Sequence, residues 1–176
     1  MIVDFKNKEN TNKVGNKAKF LIEMKNKGFN VPDGFVIDSD TYTEEIINNN
    51  IEVEIANYLK KLNKDNISEI SKDITSLFDS FDFSNTTRTE IEKRLKDNKL
   101  YAVRSSGTKE DLDEYSFAGQ YQTFLNVKKR SVLRKVIECY KSMFSEVILS
   151  YFVNNNISTD YLKMSVIIQE MVPSEY

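Results

Sequence analysis

Apolar positions recur at helical spacing over most of the chain and alternate in a few short runs. Ala18, Leu21 and Ile22 form one stripe over residues 16–27, and Gly28 stands where a glycine ends a helix. The turn Asn30-Val31-Pro32-Asp33-Gly34 leads into a strand at Phe35-Val36-Ile37. Ser39 or Thr41 can cap the next helix. Thr41 with Glu44 has capping-box spacing, and Tyr42, Ile46 and Ile47 supply a buried face. The middle reads as helical throughout. Ile55, Leu59 and Leu62 form one stripe, Ile67, Ile70, Ile74, Leu77, Phe78 and Phe81 a second, and Ile91 and Leu95 a third. Strands are predicted at 100–104 and 121–127. A single long helix is predicted over 131–149, its apolar face built from Val132, Leu133, Val136, Ile137, Tyr140, Met143, Phe144, Val147 and Ile148. A polar turn then gives way to a last strand, Met164 to Met171. The expected architecture is a mixed α/β (α+β) domain, a small sheet of four or five strands covered by helices, with residues 1–176 forming one domain. The pattern leaves strand order and direction open.

Composition narrows the function. Of the residues, 40% are hydrophobic, with 11 Phe and 9 Tyr, which suits a folded core. The 25 basic and 27 acidic residues give a net charge of −2 and no bulk electrostatic case for nucleic acid or an anionic membrane. The absence of histidine excludes a histidine zinc site, a Ser-His-Asp triad and a phosphohistidine carrier within this sequence. The single cysteine, Cys139, falls at an apolar helical position and reads as a buried thiol. No signal peptide and no run of about 18 apolar residues is seen, so a cytoplasmic, soluble protein is expected.

The densest chemistry lies in Tyr101-Ala102-Val103-Arg104-Ser105-Ser106-Gly107-Thr108, followed by an acidic loop and the strand carrying Thr123. A guanidinium at a strand end, beside hydroxyls and a glycine, can hold phosphate through paired charge-assisted hydrogen bonds. The alternative is a β-hairpin whose arginine makes a surface ion pair. Two further segments join it: Gly15-Asn16-Lys17 leading to Val31-Pro32-Asp33-Gly34-Phe35, and Ser165-Val166-Ile167-Ile168-Gln169-Glu170-Met171-Val172-Pro173. In this order the three segments resemble the ATP-binding, ATP-grasp-like domain of the phosphoenolpyruvate synthase and pyruvate phosphate dikinase family, which rifampin phosphotransferases share. The likeness is dense at 14–42, 101–127 and 163–173, and the middle carries no signature.

The resemblance implies an ATP site. It assigns Arg104 to the triphosphate near the phosphoryl group that moves, a contact that can lower a barrier by ~3 kcal/mol. Lys17, in the first turn of a helix, would meet the phosphates; a lysine there opposes the helix dipole and so hints at an anion. No P-loop pattern accompanies it. Thr123 matches a position whose hydroxyl reaches the phosphates, with an ordinary strand threonine as the alternative. Gln169, Glu170, Met171 and Val172 resemble the hinge that holds adenine, and Glu175 would accept from the ribose hydroxyls. Periodicity alone makes Met164, Val166 and Ile168 core. Two departures stand out: Asn16 replaces the second of two glycines, and Gly107 stands where relatives often have alanine. Glu110 and Asp111 are adjacent, without a third carboxylate at useful spacing, and read as a solvated acidic loop. No metal ligand is expected here. Mg2+ would be held by carboxylates outside the chain, and the phosphate-carrying histidine and acceptor site would lie outside it too.

The expected activity is therefore that of a kinase lobe: phosphate passing from ATP through a histidine elsewhere to pyruvate or a similar small acceptor. The chain is expected to be part of a larger transferase and inactive alone. The alternatives are the ATP-binding lobe of a rifampin-type antibiotic phosphotransferase, or a non-catalytic binding domain whose exposed face meets a partner protein.

Overall fold

The computed structural model describes residues 1–7, 13–107, 111–112, 115–116 and 122–172. One five-stranded antiparallel sheet organises them, in the spatial order β1 (Ile2–Asp4), β2 (Gly34–Ile37), β7 (Met164–Glu170), β3 (Leu100–Gly107) and β6 (Thr123–Lys128). The last strand in sequence is thus the central strand in space. A separate two-stranded ribbon, β4 (Asp111–Leu112) and β5 (Tyr115–Ser116), lies between β3 and β6 in sequence.

Strand pleating sends alternate residues to opposite faces, and the two faces carry two cores. Phe35, Ile37, Tyr101, Val103, Val127, Val166 and Ile168 face one side. There they pack against α2 (Ser39–Asn48), α3 (Glu52–Lys61), α4 (Ile67–Leu77), α5 (Asn85–Glu92), α6 (Val132–Ser142) and α7 (Glu146–Asn154). Val3, Val36 and Ile167 face the other side, where they meet Val14, Ala18 and Ile22 around α1 (Gly15–Asn26). On that second face α1 lies over β3 and β7 and shares its core with Val3 of β1 and Val36 of β2, while Thr123 and Leu125 of β6 remain exposed. The expected mixed sheet-and-helix architecture is present.

Several local expectations change. Asp38, not Ser39 or Thr41, caps α2: its carboxylate accepts from the Thr41 N–H at 2.9 Å and from the Thr41 hydroxyl at 2.8 Å. Thr41 is therefore a buried partner of the cap. Ile47 is exposed, because the face set by Tyr42 and Ile46 turns it outward. The long helix expected over 131–149 is two helices. Ser145 ends the first run and caps α7, its hydroxyl accepting from the Ile148 N–H, and the new register leaves Val147 63% exposed. Strand β6 begins at Thr123, later than expected. Cys139 is fully buried, and burial pushes its thiol up to about 12.

Candidate nucleotide-binding site

The phosphate-side candidates sit on one face of the sheet. Arg104 pairs across the ladder with Ile167 of β7 on one side and Thr123 of β6 on the other. Directly opposed residues share a face, and Ile167 belongs to the core beneath α1. Arg104 and Thr123 therefore look toward the side that α1 occupies. Lys17, in the first turn of α1, reaches down to the same strand: its Nζ lies 3.4 Å from the Ser105 carbonyl oxygen. Gly15, just before it, holds φ 74, a conformation that suits glycine. Asn16 is thus an ordinary exposed helical residue, and Gly15 makes the turn.

What fixes this end of α1 is a pair of serines that sequence reasoning did not single out. The Ser165 hydroxyl is hydrogen-bonded to the Val14 carbonyl and, at 2.9 Å, to the Ser106 carbonyl, so helix start and central strands are tied together. Ser105 donates its hydroxyl to the Gln122 carbonyl at 2.9 Å, and its N–H to the same oxygen at 3.1 Å, which continues the β3–β6 pairing past Thr123. A run of hydroxyls beside an arginine was the available signal: Ser105 and Ser165 spend theirs on backbone carbonyls, whereas the buried Ser106 hydroxyl has no hydrogen-bond partner among the described residues.

The hinge segment is more committed to the fold than a bare sequence suggests. The Glu170 carboxylate is ion-paired with Lys96 at 2.7 Å and Lys99 at 3.3 Å, and the Lys96 hydrogen bond first of all holds it below the usual glutamate range. Its N–H donates to the Asp33 carbonyl at 2.7 Å, and the Met171 N–H to the Leu100 carbonyl at 2.8 Å. Glu170 also lines a cleft of ~350 Å3 with Asp4, Lys6, Asp33, Arg94 and Lys96. Those charges are largely paired, Arg94 with Asp4 and Lys96 with Glu170 inside the cleft, and Asp33 with Lys25 outside it. Gln169 is opposed by Gly34 and Ala102, and Val172 is 67% exposed. Glu175 and Glu110 lie outside the described residues. Of Asp111 only the backbone is described, in the β4–β5 ribbon.

Beside the hinge, β6 carries a bulge. Tyr101 opposes Val127 and Val103 opposes Phe124, so Leu125 and Asn126 together face Ala102. Asn126 takes φ 56, and its N–H donates to the Met171 sulfur at 3.0 Å. Leu125 is 60% exposed. Among the described residues no group of three or more His, Cys, Asp or Glu side chains could hold a metal ion. No helix among them is long and apolar enough to cross a membrane.

Arginine and threonine thus stand side by side on adjoining strands, bordered by a lysine at a helix start. Comparison with known proteins places this arrangement in a family. Residues 11–176 match the pyruvate phosphate dikinase, AMP/ATP-binding domain. The chain belongs to that family. Rifampicin phosphotransferase of Bacillus cereus is 34% identical over 181 residues, covering 97% of this chain and 21% of the relative. A probable phosphoenolpyruvate synthase of Methanothermobacter thermautotrophicus is 31% identical, covering 96% of this chain and 26% of the relative. The phosphoenolpyruvate synthase of Aeropyrum pernix is 33% identical, over 92% and 21% respectively. The chain thus spans about a fifth to a quarter of these three relatives. The pyruvate phosphate dikinase AMP/ATP-binding family is where the sheet, α1 and the Arg104 segment belong.

Proposed function

We propose that this chain is the ATP-holding lobe of a phosphotransferase, with Arg104, Lys17 and Thr123 on the phosphates and the Gln169–Val172 segment beside the adenine. The observation that carries this reading is the shared face: Arg104 opposes Thr123, and Lys17 descends from α1 onto the adjoining Ser105 carbonyl. Arg104 offers two parallel N–H donors to phosphate oxygens, and Lys17 a mobile point charge. As the terminal P–O bond lengthens, negative charge grows on the leaving oxygens, and fixed cations stabilise it. In the hinge, the Glu170 and Met171 amides and the Glu170 carboxylate already have partners, so the base would be met by Val172 and by apolar side chains. Glu175 would take the ribose hydroxyls.

The phosphoryl group would leave ATP for a histidine in another part of the longer protein, since this sequence contains none. From there it would pass to pyruvate or a similar small acceptor, with Mg2+ held by carboxylates outside the described residues. A rifampin-type acceptor is the second reading, supported by the 34% identity to the Bacillus cereus enzyme. The lobe would serve either reaction, because both would draw the phosphoryl group from the same ATP. A cytoplasmic location suits an ATP consumer.

Titrating ATP into the wild type, Arg104→Ala and Lys17→Ala tests the reading. Each substitution should weaken ATP about ten- to hundredfold, the range expected for charge-assisted hydrogen bonds. Unchanged affinity in both folded variants would overturn it.

A further inference from the structure

We infer that Asn126 is a positioning residue for the base of the bound nucleotide, acting through Met171. The inference rests on the nucleotide reading above and adds to it a device for holding the hinge side chain in place. Strand β3 lies between β7 and β6. The Met171 backbone is anchored at the end of β7, where its N–H meets the Leu100 carbonyl, while its sulfur accepts from the Asn126 N–H on β6. The Met171 side chain must therefore cross β3. It crosses where the bulge sets Leu125 and Asn126 against the small residue Ala102.

A methionine side chain is ordinarily mobile, with three rotatable bonds and a weak preference among rotamers. Here one end is fixed by the strand and the other by an amide that the bulge has turned out of the β3–β6 ladder. A regular strand would spend that N–H on its neighbour or turn it to solvent. The bulge depends on residue 126 tolerating a left-handed backbone, which asparagine does and β-branched residues do not. With Leu125 60% exposed on one side and Val172 67% exposed on the other, the pinned thioether forms a fixed apolar floor next to the strand that carries Arg104. A soft sulfur and aliphatic groups suit the face of a purine. Preorganising the side chain removes the cost of ordering it when ligand binds.

The test compares ATP with inorganic tripolyphosphate, which shares the phosphate contacts and lacks the base. Dissociation constants are measured for full-length wild type, Asn126→Gly, Asn126→Val and Met171→Leu, with thermal melting to confirm folding. Asn126→Gly keeps the left-handed backbone and should hold ATP within about twofold of wild type. Asn126→Val and Met171→Leu should each weaken ATP by about three- to tenfold, with tripolyphosphate changed less than about twofold. Met171→Leu keeps the apolar bulk and removes only the sulfur acceptor, so it decides the matter if Asn126→Val does not fold. Equal weakening of both ligands, or no weakening of ATP, overturns the positioning role while leaving the nucleotide reading intact. Failure of the wild type to bind ATP overturns both.

Discussion

The Lys17 ammonium lies 3.4 Å from the Ser105 carbonyl oxygen, although 88 residues separate the two in sequence. That contact places a helix-borne cation over the strand carrying Arg104. Under the proposed function the two cations share one site, and their effects on ATP binding should not add. The double variant Lys17→Ala/Arg104→Ala should lose less ATP affinity than the sum of the single losses, by about 0.5–3 kcal/mol of coupling in a double-mutant cycle. Strict additivity would mean that they serve separate sites.

Arg104→Lys separates charge from geometry. A lysine keeps the charge and loses the paired planar donors, so ATP turnover in the full-length protein should remain well below wild type. Recovery to wild-type rates would show that charge alone suffices.

Gly34 is required for space. A Cβ there would sit 2.6 Å from the Ile168 carbonyl oxygen, 2.8 Å from Phe5 Cε2 and 3.0 Å from Gln169 Cα. Two of these neighbours are backbone of the central strand and cannot step aside. Gly34→Ala should destabilise the fold by about 1–3 kcal/mol in urea denaturation, with the β2–β7 pairing the part that gives.

Glu45 is almost wholly buried and accepts from the Ser84 N–H at 2.8 Å, the Ser84 hydroxyl at 2.7 Å and the Thr87 hydroxyl at 2.6 Å. It holds the start of α5 against α2. Glu45→Ala strands all three donors and should cost about 2–4 kcal/mol. Glu45→Gln, which keeps one acceptor oxygen, should cost less. Chemical denaturation of both variants checks the order.

Acid should loosen the hinge first. Glu170 is held below the ordinary glutamate range chiefly by the Lys96 hydrogen bond. A carboxylate with a depressed folded value stabilises the fold above its unfolded value and loses that contribution as pH falls through the folded one. The contribution should therefore be intact at neutral pH and disappear below about pH 4. Lys96 is more than half exposed, so solvent screens the pair and its contribution is small. Stability–pH curves of wild type and Glu170→Gln should converge in acid; a constant gap would rule the linkage out.

What sequence could reveal depended on how local the cause was. The α1 stripe and the glycine after it are local, and the helix Gly15–Asn26 with Gly28 at φ 86 followed. The apolar run at 164–171 gave β7 for the same reason. The α6–α7 break was harder, because Met143 and Phe144 continue the apolar pattern through a turn that only Ser145 interrupts. Asp38 is hard to distinguish as the cap because Ser39 and Thr41 follow it closely, and the choice depends on where β2 ends. Of the site, Arg104 and Thr123 were legible as a pair of strand residues, whereas their pairing with each other depends on register. The partners of Glu170 come from a loop some 70 residues earlier, beyond the reach of any spacing rule. The bulge left one clue, an asparagine between the apolar Leu125 and Val127.

The middle position of β7 has a bearing on how the protein is made. On the ribosome, β1 and β2 emerge early and β3 with β6 much later, yet neither pair touches the other until Met164–Glu170 slides between them. Until then the nascent polypeptide holds two half-sheets with open edges, a state prone to sticking to its neighbours. Synthesis must pass residue 170 before Arg104 acquires Ile167 at its side, so the face that carries Arg104 takes shape in a single late event.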